Sequence, residues 1–292
     1  MKSRTYLPYY FIAPAAIVIF GIALYPILHT FFISLHQINL KFPDLGMSFI
    51  WFENYIRLFQ DGRAMGALFN TIFFTVSTVA LELVFGMIIA ILMDRALRFR
   101  GILRATVLIP WAMPTVVAAM LWRWMYNDQS GIINAILYGT GIIPEYIQFL
   151  AEPALAWTAV IVTEVWKTTP FMALLLLAGL QVIPREVYEA SEIDGASKVR
   201  TFFTITLPLL RPVLLVALLF RTLDAFRVFD VIFVMTGGGP GNATESLSLY
   251  TYKTMFGALD FGYGSALSVL TFVCVIIISV LYIKFIGTRG QQ

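Results

Sequence analysis

The 292 residues are 59% hydrophobic and 13% charged, with a mean hydropathy of +0.82, which excludes an ordinary water-soluble globule. The net charge of +3 is small, so no nucleic acid is expected as a partner. The lone Cys274 lies inside an apolar run and rules out a disulfide framework or a thiolate metal site.

Taken in chain order, apolar stretches long enough to cross a bilayer run at roughly Tyr10 to Leu35, Asn70 to Met93, Ala105 to Tyr126, Leu155 to Leu180, Val213 to Met235 and Gly264 to Ile286. Six helices crossing once each predict an all-α integral membrane protein. Residues 1–69 form an N-terminal tail, first span and external loop, 70–286 a five-helix core, and 287–292 a tail. The first stretch follows Lys2 and Arg4 and so imitates a signal peptide. It is too long and lacks a small-residue cleavage site, and is expected to remain as an anchor. His29 and His36 at its outer end have no acidic companions at metal-ligand spacing; they are read as interfacial, and no metal site is expected. Glu82, inside the second stretch, is expected either to bridge helices or to line a path, with bridging the favoured reading.

Loop charges set the orientation. Lys2, Arg4, Arg95, Arg98, Arg100, Arg104, Arg185, Lys198, Arg200, Arg211, Lys284 and Arg289 fall on one side, against Lys41, Arg57, Arg63 and Lys253 on the other. The richer side is cytoplasmic by the positive-inside rule and holds both termini.

Between the fourth and fifth stretches the chain reads Pro184-Arg-Glu-Val-Tyr-Glu-Ala-Ser-Glu-Ile-Asp-Gly-Ala-Ser-Lys198. Pro184 suits a first helical turn, Glu186 and Glu189 its positive end, and Gly195 the left-handed residue that stops it. Ser197 can cap a second short helix expected to end before Pro208. The first helix carries Glu186, Glu189, Glu192 and Asp194 against Arg185 alone. That acidity fits a protein groove better than an anionic lipid leaflet.

The stretch Glu189-Ala-Ser-Glu-Ile-Asp-Gly195, followed by Ile205 and Leu207-Pro208, resembles the EAA loop of binding-protein-dependent ABC importer permeases. Ser191 departs from the second Ala of that pattern. Further segments, Arg104 to Pro110, Glu164 to Phe171, Arg221 to Asp230 and Thr236 to Gly241, resemble the carbohydrate branch, and within it the first permease of trehalose- or maltose-type pairs. The resemblance implies a type I permease fold whose cytoplasmic coupling helix, within loop 184–208, contacts an ATPase through Glu186, Glu189, Ala190, Ser191, Asp194, Gly195 and Ala196. It implies a second permease, two ATP-binding subunits and an extracytoplasmic sugar-binding protein as partners, with ATP and Mg held by the ATPase subunits and no cofactor on this chain. Some members on the maltose side carry extra N-terminal helices and a large external domain, which this chain lacks.

Ionisable residues within spans mark candidate functional sites. Arg221, Asp224, Arg227 and Asp230 recur at i,i+3 with alternating sign and can pair along one helix. Glu164, Lys167, Thr168, Thr169, Asp224, Phe226 and Arg227 offer the hydrogen-bond partners and aromatic face that a sugar path needs. Gly237, Gly238, Gly239 and Pro240 form either a plain turn or a loop that can approach the binding protein closely. No nucleophile–base constellation and no phosphate loop occurs, so the chain is read as a transport subunit and not an enzyme. The alternatives are an ion-coupled secondary transporter using Glu164, Asp224 and Asp230, or an ABC permease for glycerol-phosphate or another solute.

Overall fold

The computed structural model describes residues 7–95 and 100–287. Lys2, Arg4, Arg98, Arg289 and the tail from 288 onward lie outside the described residues. In chain order the helices are α1 (Leu7–Ile19), α2 (Tyr25–Ser34), α3 (Glu53–Gln60), α4 (Gly62–Arg95), α5 (Arg100–Ala112), α6 (Thr115–Met125) and α7 (Ile132–Gly139). They continue as α8 (Pro153–Leu180), α9 (Arg185–Ile193), α10 (Lys198–Thr201), α11 (Leu207–Phe226), α12 (Asp230–Met235), α13 (Leu247–Tyr252) and α14 (Phe261–Gly287). A two-residue antiparallel ribbon, β1 (His36–Gln37) against β2 (Ser48–Phe49), is the one sheet among the described residues.

Five uninterrupted helical stretches are long and apolar enough to cross a membrane: Tyr9–Ser34, Gly62–Asp94, Pro153–Leu180, Lys198–Phe226 and Phe261–Phe285. The sixth expected span departs from a simple crossing, because α5 and α6 meet at 92°. Pro114 supplies the reason. It takes an extended conformation (φ −55°, ψ 135°) as the N-cap of α6; it lacks the N–H that a continuous helix would use and disfavours helical backbone at Met113.

Two further expectations need correction. The short helix after Ser197 does not stop before Pro208. It widens into a π-helical turn at Phe202–Thr206 and continues into α11, and the wider turn lies where Pro208 cannot donate a backbone hydrogen bond and would crowd the preceding helical turn. The fifth span does not run to Met235. Its helix ends at Phe226, Arg227 caps it, and Phe229 is non-helical before α12 begins, so the four charges from Arg221 to Asp230 do not share one helix.

The chain divides into two compact units. The first comprises the described residues through Met65 with Tyr250–Val273. Here Asn54 donates to the carbonyls of Ser34 (2.9 Å) and His36 (3.0 Å), tying α3 to the end of α2 and to the ribbon. His36, read from sequence as interfacial, is instead buried, with Nδ1 2.7 Å from the Phe32 carbonyl and its ring between Phe32 and Phe49. The ribbon explains the burial, since pairing His36 with Phe49 folds the ring inward.

The second unit, Gly66–Leu249 with the chain from Cys274 onward, holds two apolar clusters. One gathers Phe74, Val160, Ile232 and Leu249; the other gathers Met93, Met172, Leu176 and Leu210. Glycines allow the second cluster's helices to close. A Cβ on Gly86 would lie 2.7 Å from Met172 Cγ, and one on Gly179 2.5 Å from Leu210 Cδ1. With no water to drive apolar surfaces together inside a bilayer, such close approach gives membrane helices their packing energy.

Candidate translocation and coupling sites

Arg221, one turn and a half before the end of α11, is the hub of a buried charge node. Its Nε donates to Glu82 Oε2 of α4 at 2.6 Å and its Nη2 to Glu82 Oε1 at 2.8 Å, a bidentate pair. Nη2 also reaches Glu164 Oε1 of α8 at 3.4 Å, and Nη1 pairs with Asp224 on the next turn of α11. Thr168 of α8 donates to Glu82 Oε1 at 2.6 Å. Arg221 is 2% exposed, Glu82 0% and Glu164 7%. Three membrane helices therefore meet on charges that are stable at this depth only while paired.

The node separates the candidate path residues. It brings Glu164 and Asp224 onto one guanidinium, with Thr168 bonded to the Glu82 carboxylate that the same guanidinium holds. Thr169 is buried beside Thr168, and its Oγ1 has no hydrogen-bond partner among the described residues. Lys167 is half-buried, and Phe226 is 3% exposed. Arg227 is exposed and its Nε donates back to the Leu223 carbonyl at 3.2 Å. The i,i+3 ladder thus survives only as Arg221–Asp224, because the helix it needed ends at Phe226. Sequence reasoning favoured a bridging role for Glu82 over a path-lining one and left it out of the candidate site set. The available signal was its isolation, as an acid twelve residues from the nearest charge on α4.

Gly237, Gly239 and Pro240 are half-buried and Gly238 is buried. Thr236 and Thr244 staple the loop with an Oγ1–Oγ1 contact of 2.7 Å, and Thr244 Oγ1 donates to the Gly239 carbonyl at 2.7 Å. Gly237 and Gly238 have φ of +61° and +88°, values that a side chain would strain. Only Gly241 and Asn242 at the tip are exposed.

At the opposite sequence end of α8, the helix α9 runs from Arg185 after a Pro184 N-cap, and Gly195 turns it with φ of +72°. Ser197 Oγ accepts from Arg200 N at 3.3 Å as the cap of α10. Ser191 is buried, its hydroxyl 2.8 Å from that of Thr201, which pins α9 to α10. Glu186, Glu189, Ala190, Asp194 and Gly195 are exposed, and Ala196 is half-buried. Ile193 and Val199 are 87% and 68% exposed on the same loop. A cavity of about 390 Å³ lies behind it, lined by Asp94, Leu180, Tyr188, Glu192, Lys198 and Phe202 among others.

A multi-pass helical membrane protein with an exposed acidic loop between two spans and a buried charge node beside them has the architecture of a transporter's membrane subunit. Residues 82–287 match the family described as binding-protein-dependent transport system inner membrane component, and the chain belongs to that family. Its members are transport components rather than enzymes. The chain is 46% identical over 278 residues to the trehalose/maltose transport system permease protein MalF of Thermococcus litoralis, covering 95% of this chain and 92% of that one. It is 40% identical over 285 residues to the trehalose transport system permease protein SugA of Mycobacterium tuberculosis, covering 97% and 90%. The fold matches a chain from the crystal structure of a bacterial ABC transporter for the acidic polysaccharide alginate, with a TM-score of 0.82 at 20% identity and coverage of 98% and 96%. The type I importer permease fold is thereby assigned.

Proposed function

We propose that this chain is one transmembrane subunit of an ATP-driven importer that passes a small sugar, a disaccharide of the trehalose or maltose type, into the cell. The exposed face of α9 and the Gly195 turn carries the reading. Acidic side chains stand there beside uncovered Ile193 and Val199, a combination suited to a protein groove and poorly suited to solvent or to anionic headgroups. The relatives support the sugar, since two of the most similar are trehalose or trehalose/maltose permeases and a third, 40% identical, serves sulfoquinovosyl glycerol, also a glycoside.

In this reading the arginine-rich loops and both termini face the cytoplasm. ATPase subunits grip α9 through Glu186, Glu189, Ala190, Asp194 and Gly195, while Ser191 keeps α9 attached to α10. The uninterrupted helix Lys198–Phe226 then carries that motion toward Arg221, so that ATP binding rocks the three helices of the charge node and opens the path alternately to either side. A second permease completes the pore, and a binding protein delivers the sugar. Glu164, Lys167, Thr168, Thr169, Asp224 and Arg227 are the polar groups nearest that path, with Thr169 Oγ1 free to meet water or a sugar hydroxyl. Gly241 and Asn242, at the tip of the Gly237–Pro240 loop, face the binding protein.

The test is reconstitution of the complete importer in proteoliposomes, with labelled trehalose and maltose outside and ATP inside. Sugar uptake should require ATP and survive an ionophore, and Gly195→Val should abolish uptake while ATP hydrolysis continues. Uptake that persists without ATP sinks the importer reading, and normal coupling in Gly195→Val sinks the assignment of α9.

A further inference from the structure

The first compact unit contains a second polar cavity, of about 640 Å³, remote in sequence from the node. Its volume falls within the range of small-molecule sites. Seven of its ten lining residues carry amides or charges, Gln37, Asn39, Glu53, Asn54, Arg57, Gln60 and Asp260, and Phe42 and two isoleucines complete it.

The walls are held rigidly. Asn54 is 5% exposed, and its Nδ2 hydrogens are committed to the carbonyls of Ser34 and His36. That fixes Oδ1 as an acceptor to which no described residue donates. Arg57 is clamped between Asp260 at 2.8 Å and the face of Tyr263 at 4.0 Å. Asp260 accepts in turn from the Tyr263 backbone N–H at 3.2 Å and shares a backbone bridge with Asn39. Fixed donors and acceptors lose little freedom when a ligand arrives.

We infer that this cavity is an extracytoplasmic sugar subsite, which holds a neutral disaccharide before it enters the membrane path. The inference rests on the proposed import function and orientation. Amide groups donate and accept at once, carboxylates accept from neighbouring hydroxyls, and a planar ring covers the apolar face of a pyranose. Phe42, 55% exposed, supplies that ring, and Gln37, Gln60 and Glu53 supply groups on exposed positions around the rim. Arg57 against Glu53 and Asp260 leaves one negative charge in excess, which disfavours a phosphate and is compatible with a neutral ligand.

The experiment uses the full importer complex in nanodiscs without its binding protein, with saturation-transfer NMR to maltose and to trehalose as probes. The wild-type complex should give transfer to at least one sugar, and the double variant Phe42→Ala/Gln60→Ala should weaken it by about tenfold, as the loss of a stacking face and a hydrogen bond predicts. Both side chains are exposed, and size-exclusion profiles check assembly. A second variant, Gln60→Trp, should fill the cavity and give the same loss. Absence of transfer from the wild type, or undiminished transfer in both variants, overturns the subsite. Loss of binding-protein capture by the variants overturns it in favour of a protein-docking face. In each of these cases ATP-dependent uptake by the wild type would leave the import function standing, so the two failures are distinguishable.

Discussion

Two groups of acidic residues in the second unit live under opposite conditions. Around Arg221, Glu82 and Glu164 are buried and bound to the same guanidinium. On α9, Glu186, Glu189, Glu192 and Asp194 are exposed, and none bonds to another side chain among the described residues. The first group is satisfied within the chain, so its removal should be felt as lost stability. The second has no side-chain partner among the described residues, so its removal should be felt chiefly where a partner binds. Identical chemistry thus divides into a folding role and an assembly role according to burial and pairing.

The largest expected effect breaks the buried side. Arg221→Met removes the shared cation and leaves Glu82 and Glu164 uncompensated, which should cost about 3–5 kcal/mol. Thermal unfolding of the purified permease in detergent would read this as a large drop in midpoint. Arg221→Met/Glu82→Gln should recover part of the loss, because the deepest carboxylate is then neutral. A single variant as stable as wild type would mean that the node is not what joins α4, α8 and α11.

This contrast was only half legible in the sequence. The loop's architecture follows from local rules: Gly195 and Ser197 occupy the turn and cap positions that their chemistry predicts, and Pro184, expected in the first turn, stands one residue earlier as the N-cap. Hydropathy likewise located the spans. The node was not legible because its bonds join Glu82, Glu164 and Arg221 across three helices, with separations of 139 and 57 residues. The i,i+3 charge spacing suggested pairing along one helix instead, and tertiary partners overrode it where α11 stops at Phe226. The bend at Pro114 was hidden for another reason, since an apolar window counts hydrophobic residues and is blind to a proline that turns the axis. The polar cavity of the first unit was missed altogether, as its lining is assembled from residues 37–60 and Asp260.

An intermediate case sharpens the comparison. Asp61, at the start of α4 in the first unit, accepts from Tyr250 (2.6 Å) and Tyr263 (2.7 Å). Burial pushes its carboxyl upward, but those bonds and the backbone N–H groups of Arg63 and Ala64 outweigh it and leave the carboxyl below its usual 3.8. Burial and the bond to Asp61 push Tyr250 up to about 12, so it stays a donor at any physiological pH. A lowered carboxylate stabilises the fold above its unfolded value, and that contribution is lost as pH falls through the folded value. Tyr250→Phe should cost about 1 kcal/mol at neutral pH and move the acid loss upward toward 3.8. Hydrogen exchange at α3, compared at rate-corrected times between pH 6 and pH 3, measures both. An unchanged acid profile in the variant would detach Asp61 from the stability of this unit.

The smallest effect on folding is expected at the exposed acids, and it is the most informative about partners. Glu186→Gln/Glu189→Gln changes exposed side chains that bond to no other side chain among the described residues, so the unfolding midpoint should stay within the range of ordinary surface substitutions, about ±0.5 kcal/mol. Capture of the ATPase subunits should nevertheless weaken by about tenfold, as removal of two complementary charges from a docking face predicts, and higher salt should shrink the difference between wild type and variant. If the variant instead loses stability and retains ATPase capture, the acids of α9 belong with the Arg221 node as structural charges, and the division between a folding site and an assembly site fails.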